Sequence, residues 1–212
     1  MHGVQSESRL NSSERTKQMT RLATSALALA LLTGSAIAQP VAYSFDKSHS
    51  NLSFTYNHLG FSTTDGRFGD WDGTLAIDES TPANSSIEFT VQIDSLDTFW
   101  GERDAHLKSA DFFGAAKYPT ATFKSTEVNK VGEKQLEVTG DLTIKDVTKP
   151  VTLTVDVFGQ GEHPMAKKPA FGFKVSTVIK RSDFGMDAYV PYVGDDIAIT
   201  FHSETLKADA SN

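Results

Sequence analysis

The sequence predicts an all-β fold that closes into a barrel of about eight antiparallel strands. The first observation is the stretch 52–58, where large apolar side chains alternate with small polar ones. A strand points successive side chains to opposite faces, so Leu52, Phe54, Tyr56 and His58 share one face. The second observation is that this alternation recurs along almost the whole chain after Ala42. The third is that only one segment interrupts it with a helix-like pattern.

Seven further segments carry the alternation, and clusters of Gly, Pro, Asn and Asp separate them. In chain order they are 67–78, 87–93, 120–128, 135–144, 151–158, 171–180 and 197–206. Strict alternation means that one sheet face is apolar and the other is wet, which is typical of antiparallel sheets. Such strands can form a sandwich or a barrel, and closure into a barrel removes exposed edges.

Three connecting segments have their own signals. Residues 97–118 have irregularly spaced aromatic and charged side chains and predict a short helical insertion that ends before Pro119. Residues 159–169 contain Gly, Pro and Lys-Lys and predict a long surface loop. Residues 145–150 predict a tight turn between two strands.

The N-terminal segment predicts export. Residues 19–38 combine a basic start, an apolar run at 22–32 and an Ala-x-Ala end, which is typical of a secretory signal peptide. The run is about half of the roughly 20 residues that a membrane anchor needs. We therefore predict an extension and cleaved signal peptide at 1–38, with Met19 as initiator, and one barrel domain at 39–212.

Composition excludes several classes of function. The chain has a net charge of −7 and so lacks the basic stripe that a nucleic-acid backbone requires. It has no cysteine, which excludes disulfides, thiolate metal sites and thiol nucleophiles. Export without disulfides fits a bacterial periplasm.

The interior of an eight-stranded barrel is just wide enough to be filled by side chains or to hold one small ligand. Composition does not separate these alternatives, because core and cavity lining use the same residues. The candidate lining of an apolar tunnel is Leu52, Phe54, Tyr56, Leu75, Phe89, Val91, Phe123, Leu142, Phe173, Val175 and Phe201. Such a lining would hold a guest by burial and not by hydrogen bonds.

The sequence shows no convincing catalytic or metal constellation. Its histidines are scattered, so we predict no metal site, and no nucleophile motif of the Gly-x-Ser-x-Gly type occurs. The adjacent Asp195 and Asp196 are predicted to be solvated. A polar collar at the strand ends remains, and it is formed by His58, Arg103, His106 and Arg181. Two alternatives to a carrier stay open: an enzyme acting on a lipid head group at this collar, and a ligand-free barrel that works through partner proteins.

Several motifs resemble those of one family. They are Asp46-x-x-His49-Ser50, His58-x-Gly60, Arg103-Asp104-x-His106-Leu107, Gly140-Asp141-Leu142-Thr143-Ile144-Lys145 and Arg181-Ser182-Asp183-Phe184-Gly185-Met186. Together they resemble the YceI-like family of lipocalin-like, polyisoprenoid-binding periplasmic proteins, over about residues 43–201. Asp146 stands where this family usually has glycine in a turn, and Asp tolerates turn and left-handed conformations well.

The resemblance implies an extended, lipocalin-like eight-stranded barrel around an apolar tunnel. It implies a non-enzymatic periplasmic carrier for a long-chain isoprenoid, of polyprenyl or quinone type, or for a similar amphiphilic lipid. The bound lipid would be its ligand, and no further cofactor is expected. A cytochrome b561-type membrane protein is an implied partner, and a homodimer stays open.

Overall fold

A computed structural model describes residues 39–209 as one barrel with a single α-helix, α1 (Gly101–Lys108). The predicted signal segment lies outside the described residues, and the predicted division of the chain stays a prediction. The strands are β1 (Val41–His58), β2 (Ser62–Phe68), β3 (Trp71–Ile77), β4 (Ser86–Gln92), β5 (Leu96–Asp97), β6 (Thr120–Lys130), β7 (Gln135–Ile144), β8 (Val147–Glu162), β9 (Pro169–Lys180) and β10 (Asp196–Lys207). Short 3₁₀ turns occupy Pro82–Asn84, Ile93–Ser95 and Arg181–Phe184.

Eight of the strands close a ring, which confirms the predicted barrel. Its order is β1, β3, β4, β6, β7, β8, β9 and β10, and β10 pairs again with β1. All of these pairings are antiparallel. Strand β3 pairs with the first residues of β1, and β2 pairs with the second half of β1, where Leu52 lies opposite Phe68. The other edge of β2 pairs with β5. The segment predicted as one strand at 67–78 is therefore two strands, which meet at Gly69 and Asp70.

The predicted loop at 159–169 is wrong at both ends, and only residues 163–168 lie outside the strands. Strand β8 continues to Glu162 and β9 starts at Pro169, with Gly161 opposite Ala170. The side chains of residues 158–162 are exposed on both faces of this hairpin, so no apolar alternation marks the strand. Pairing of the backbone N–H and C=O groups extends the ladder there without help from the side chains.

The turn between β7 and β8 is confirmed, with a different residue in the left-handed conformation. Ile144 pairs with Val147, which leaves a two-residue turn at Lys145 and Asp146. Lys145 has a φ of 59°, whereas no positive φ occurs at Asp146. The Asp146 carboxylate instead accepts a 2.9 Å hydrogen bond from the Tyr118 hydroxyl. The turn is thereby joined to the segment that follows α1.

Aromatic rings fill one end of the barrel. Phe45, Trp71, Phe89 and Phe201 contact one another with ring centroids 5.0 to 5.9 Å apart. Each favourable aromatic pair adds about 0.5–1.5 kcal/mol beyond the burial of its surface. We call these four residues the aromatic base. The predicted helical insertion is confirmed at the opposite end, where Leu107 and Phe113 pack against the barrel core.

Asp78 fixes the β3–β4 connection and is expected to make stability depend on acidity. Its buried carboxylate accepts hydrogen bonds from Ser80, Asn84 and Thr81, which lower its pKa from 3.8 to about 2. The unfolded chain therefore takes up a proton at Asp78 more readily than the folded protein does. As a result, the free energy of unfolding falls as the pH is lowered from about 4 to about 2. In urea titrations at pH 5 and pH 3, Asp78→Asn should lose less stability than the wild type. An equal loss in both proteins would contradict this role. Part of the loss should persist in Asp78→Asn, because the pKa of Asp46 is also lowered to about 2.

Candidate functional site: an apolar cavity at the open end of the barrel

A cavity of about 790 Å³ lies between the aromatic base and the α1 insertion. Sites that hold small molecules commonly have about 300–1,000 Å³. Phe89 and Phe201 of the aromatic base form its floor. Nine of the predicted tunnel residues line it: Leu52, Phe54, Tyr56, Phe89, Val91, Phe123, Leu142, Val175 and Phe201. The barrel interior is therefore not completely filled by its own side chains.

Two predicted tunnel residues lie elsewhere. Leu75 and Phe173 belong to the packed cluster around Tyr43 and Phe171 at the base, outside the cavity wall. Both point inward, as the alternation predicted. Alternation fixes the face of a side chain but not its height in the barrel, and at their height the aromatic rings leave no space.

The wall also contains residues that sequence reasoning missed. The α1 region contributes Trp100, Leu107, Phe112 and Phe113, and the segment after β9 contributes Met186, Tyr189 and Val193. These residues follow no strand or helix period. For the residues of the α1 region, the only signal was the abundance of aromatic residues in 97–118, and it could not show which way their side chains point.

Two glycines keep the cavity wide. The Phe54 ring lies directly over Gly66 on β2, and the Phe123 ring lies over Gly140 on β7. A Cβ at either glycine would overlap the ring. Because the glycines have no side chain, both rings lie along the wall and do not project into the bore.

The cavity opens at the end of the barrel that carries α1, and we call this end the mouth. His58, Arg103 and His106, three members of the predicted polar collar, line it there. The Arg103 guanidinium donates to the carbonyl and hydroxyl of buried Thr98 and lies 5.5 Å from the Trp100 ring. His106 is exposed on one side, and its ring contacts Phe112 and Tyr189. These groups could meet a polar head at the mouth.

Arg181, the fourth collar residue, is buried, with 5 % of its surface exposed. Its guanidinium lines the cavity and donates to the carbonyl oxygens of Gly194 at 2.9 Å, Val193 at 2.9 Å and Met186. Burial lowers its pKa below the ordinary value of an arginine. Arg181 therefore holds the segment 186–194 against the mouth.

The prediction that Asp195 is solvated is wrong. Its half-buried carboxylate accepts hydrogen bonds from the Ser182 backbone N–H at 2.9 Å and from the Ser182 hydroxyl at 2.8 Å. Asp195 thus fixes the 3₁₀ turn that follows β9. Asp196 is exposed and pairs with Lys180 at 2.8 Å.

A cluster of ionisable side chains lies toward the base end, and sequence reasoning missed it. The pairing of β1 with β10 is irregular between Asp46 and Asn51, and this bulge turns His49 back so that its Nδ1 lies 2.8 Å from Asp46 Oδ2. Glu204 is the cross-strand partner of Asp46. One potential ligand atom from each of the three lies within 4.8 Å of the others, so among the described residues this group could hold a metal ion. Simple counting along an unbroken strand could not place these side chains together.

The one α-helix in the described range, 39–209, falls short of the length and apolar character that crossing a membrane requires.

Comparison with known proteins identifies relatives over nearly the whole barrel. The YceI-like domain matches residues 43–205. Protein YceI of Escherichia coli O157:H7 is 46 % identical over 153 residues, which cover 72 % of this chain and 79 % of that protein.

Solved structures share the architecture. Burkholderia cenocepacia BcnA has a TM-score of 0.69 at 27 % identity, covering 76 % of this chain and 99 % of BcnA. A polyisoprenoid binding domain from Saccharophagus degradans, implicated in plant cell wall breakdown, has a TM-score of 0.60 at 16 % identity. That match covers 79 % of this chain and 99 % of the domain, and at this identity it shows the fold alone.

Proposed function

The chain belongs to the YceI-like family, and from this premise we propose that it is a periplasmic carrier for a long-chain isoprenoid or a similar amphiphilic lipid. The isoprenoid would be of polyprenyl or quinone type. The observation that carries the proposal is the apolar cavity of about 790 Å³, which the aromatic base closes at one end and the mouth opens at the other. The name of the Saccharophagus degradans domain, which shares the fold, supports the choice of isoprenoid.

The physical basis is burial of the hydrocarbon tail. Each buried CH₂ group stabilises the complex by about 0.8 kcal/mol, whereas association costs on the order of 4–15 kcal/mol. A tail of ten or more carbons can offset much of that cost, and a short polar molecule cannot. The tail would enter first and reach Phe89 and Phe201, while the head group stays near His58, Arg103 and His106.

The environment of Arg181 indicates a structural role for this residue at the mouth. An arginine that stabilises a reacting anion must direct its N–H groups at the substrate. The three guanidinium nitrogens of Arg181 each donate to a backbone carbonyl of the mouth segment. The residue therefore supports the wall that a guest would contact.

Export and partners are part of the proposal and depend on the sequence. The signal pattern at 19–38 supports delivery to the periplasm, where a lipid would need shielding from water. Transfer to or from a cytochrome b561-type membrane protein, and a homodimer, stay predictions.

Extraction of the purified protein tests the function. The protein isolated from the periplasm of its host is extracted with organic solvent, and the extract is analysed by mass spectrometry. We expect close to one lipid per chain, with an isoprenoid tail. A protein of similar size taken through the same steps is the control. Repeated extracts without stoichiometric lipid would contradict the carrier role, and straight-chain lipids alone would contradict the isoprenoid.

A further inference from the structure

Large apolar side chains surround the mouth and are exposed. They are Leu59, Phe61, Phe99, Trp100, Tyr189 and Tyr192, which we call the rim. We propose that the rim docks onto the surface of a phospholipid bilayer, so that a lipid passes between membrane and cavity without crossing water. This inference rests on the proposed carrier function and adds the surface through which the carrier exchanges its lipid with the membrane.

The rim is an unusual concentration of exposed apolar surface. It holds six of the twelve exposed large apolar side chains of residues 39–209. Phe61 is 93 % exposed, Tyr192 is 73 % exposed and Phe99 is 69 % exposed. Single exposed apolar residues are normal on a soluble protein, but a cluster marks an interaction surface.

The rim is continuous with the cavity opening. Trp100 and Tyr189 both line the cavity. The Leu59 backbone N–H donates to the Tyr192 carbonyl at 2.9 Å, which joins the β1–β2 turn to the segment that Arg181 holds. A surface that covers the rim therefore also covers the mouth.

The backbone displays these side chains in an unfavourable conformation. Leu59, Phe99 and Tyr189 have φ values of 57°, 65° and 63°. Bulky residues rarely adopt this left-handed region, and such strain is concentrated at functional sites. Three of the five non-glycine residues with positive φ in the described chain are rim residues. Glycine or asparagine would relieve the strain, so the apolar side chain is the property that these positions provide.

The chemistry of the rim fits a bilayer surface. Phe, Trp and Tyr are the side chains that favour the boundary between hydrocarbon and head groups. Arg103 lies 5.5 Å from the Trp100 ring, which places a positive charge where lipid phosphates would be. Arg67 lies 5.4 Å from the Phe99 ring and is paired with Asp97 at 2.7 Å. A long-chain isoprenoid is itself dissolved in a bilayer, so the membrane is the phase from which the cavity would be filled.

The two tryptophans of the chain provide a direct readout. Trp100 is in the rim and 55 % exposed, whereas Trp71 is in the aromatic base and 4 % exposed. With phosphatidylcholine vesicles, we expect the wild-type emission to shift to the blue and brominated acyl chains to quench it. Trp100→Phe, which retains Trp71, should show neither change. Phosphatidylcholine is chosen because an acidic chain of net charge −7 has no reason to prefer anionic lipid.

Rim variants and a matched control complete the test. Phe61→Ser and Tyr192→Ser should each reduce cosedimentation with the vesicles about tenfold, because each removes one inserted aromatic ring. Phe158→Ser is the control, since Phe158 is 60 % exposed on β8 and does not line the cavity. It should bind vesicles like the wild type. Phe158→Ser should also keep its extractable lipid when expressed in the host.

The outcomes separate docking from carriage. Equal vesicle binding by Phe61→Ser, Tyr192→Ser and Phe158→Ser would overturn the rim as the docking surface. Wild-type protein that ignores pure lipid vesicles, and binds only vesicles containing membrane proteins, would overturn the bilayer in favour of a protein partner. Rim-dependent vesicle binding by a protein that never yields lipid would defeat the carrier function and leave docking intact.

Discussion

Arg181→Met is expected to lower the free energy of unfolding by about 3–5 kcal/mol and to loosen the mouth of the cavity. The substitution keeps an unbranched apolar stem but removes donors from the carbonyls of Met186, Val193 and Gly194. A buried polar group left without a partner costs about 1–3 kcal/mol, and three acceptors in one segment lose theirs together. Urea unfolding measures the stability, and amide hydrogen exchange over residues 186–194 measures the loosening.

Two variants control this prediction. Lys180→Met removes the neighbouring cation, but Lys180 is exposed and pairs only with Asp196 among the described residues, so its effect should be small. Arg181→Lys keeps the charge and cannot reach three carbonyls at once, so its stability should lie between those of wild type and Arg181→Met. If Arg181→Met and Lys180→Met unfold at the same urea concentration, the guanidinium does not organise the mouth.

Arg181 shows how far the sequence reaches. Its position at the strand end led to its place in the predicted collar, and in the structure it follows β9 directly and lines the cavity. Its partners could not be predicted, since they are backbone carbonyls of 186–194, a segment without a period. Sequence patterns specify side-chain direction within a strand, whereas an irregular segment is placed by contacts distant in sequence.

Alternation predicted the antiparallel strands of the barrel, but it did not predict the cavity. Leu75 and Phe54 carry the same inward signal, yet Leu75 packs at the base and Phe54 lines the cavity. The space depends on Gly66 and Gly140, which let two rings lie along the wall. A glycine in a strand is visible in the sequence, but the ring that crosses it depends on strand register, which alternation leaves undetermined.

Ala121→Trp is expected to abolish retention of lipid while the barrel stays folded. Ala121 lines the cavity, and its cross-strand partner is Val91, another cavity residue. An indole placed there occupies the empty bore between the mouth and the aromatic base. If it excludes about three CH₂ groups of the tail, about 2.4 kcal/mol of burial is lost and retention falls roughly fiftyfold. Quantitative mass spectrometry of solvent extracts measures the loss, and thermal unfolding checks the fold.

Ala198→Trp is the matched control, because it makes the same change on the outer face of β10. Its neighbours Ile197 and Ile199 line the cavity, so Ala198 points outward, opposite Val178, which is 62 % exposed. Ala198→Trp should keep its lipid.

Vesicle binding separates docking from carriage in the same variant. Ala121→Trp leaves Phe61, Trp100 and Tyr192 in place, so it should still dock on vesicles while it retains little lipid. Full lipid retention by a folded Ala121→Trp protein would show that the guest does not occupy this cavity, because the indole would displace part of the tail.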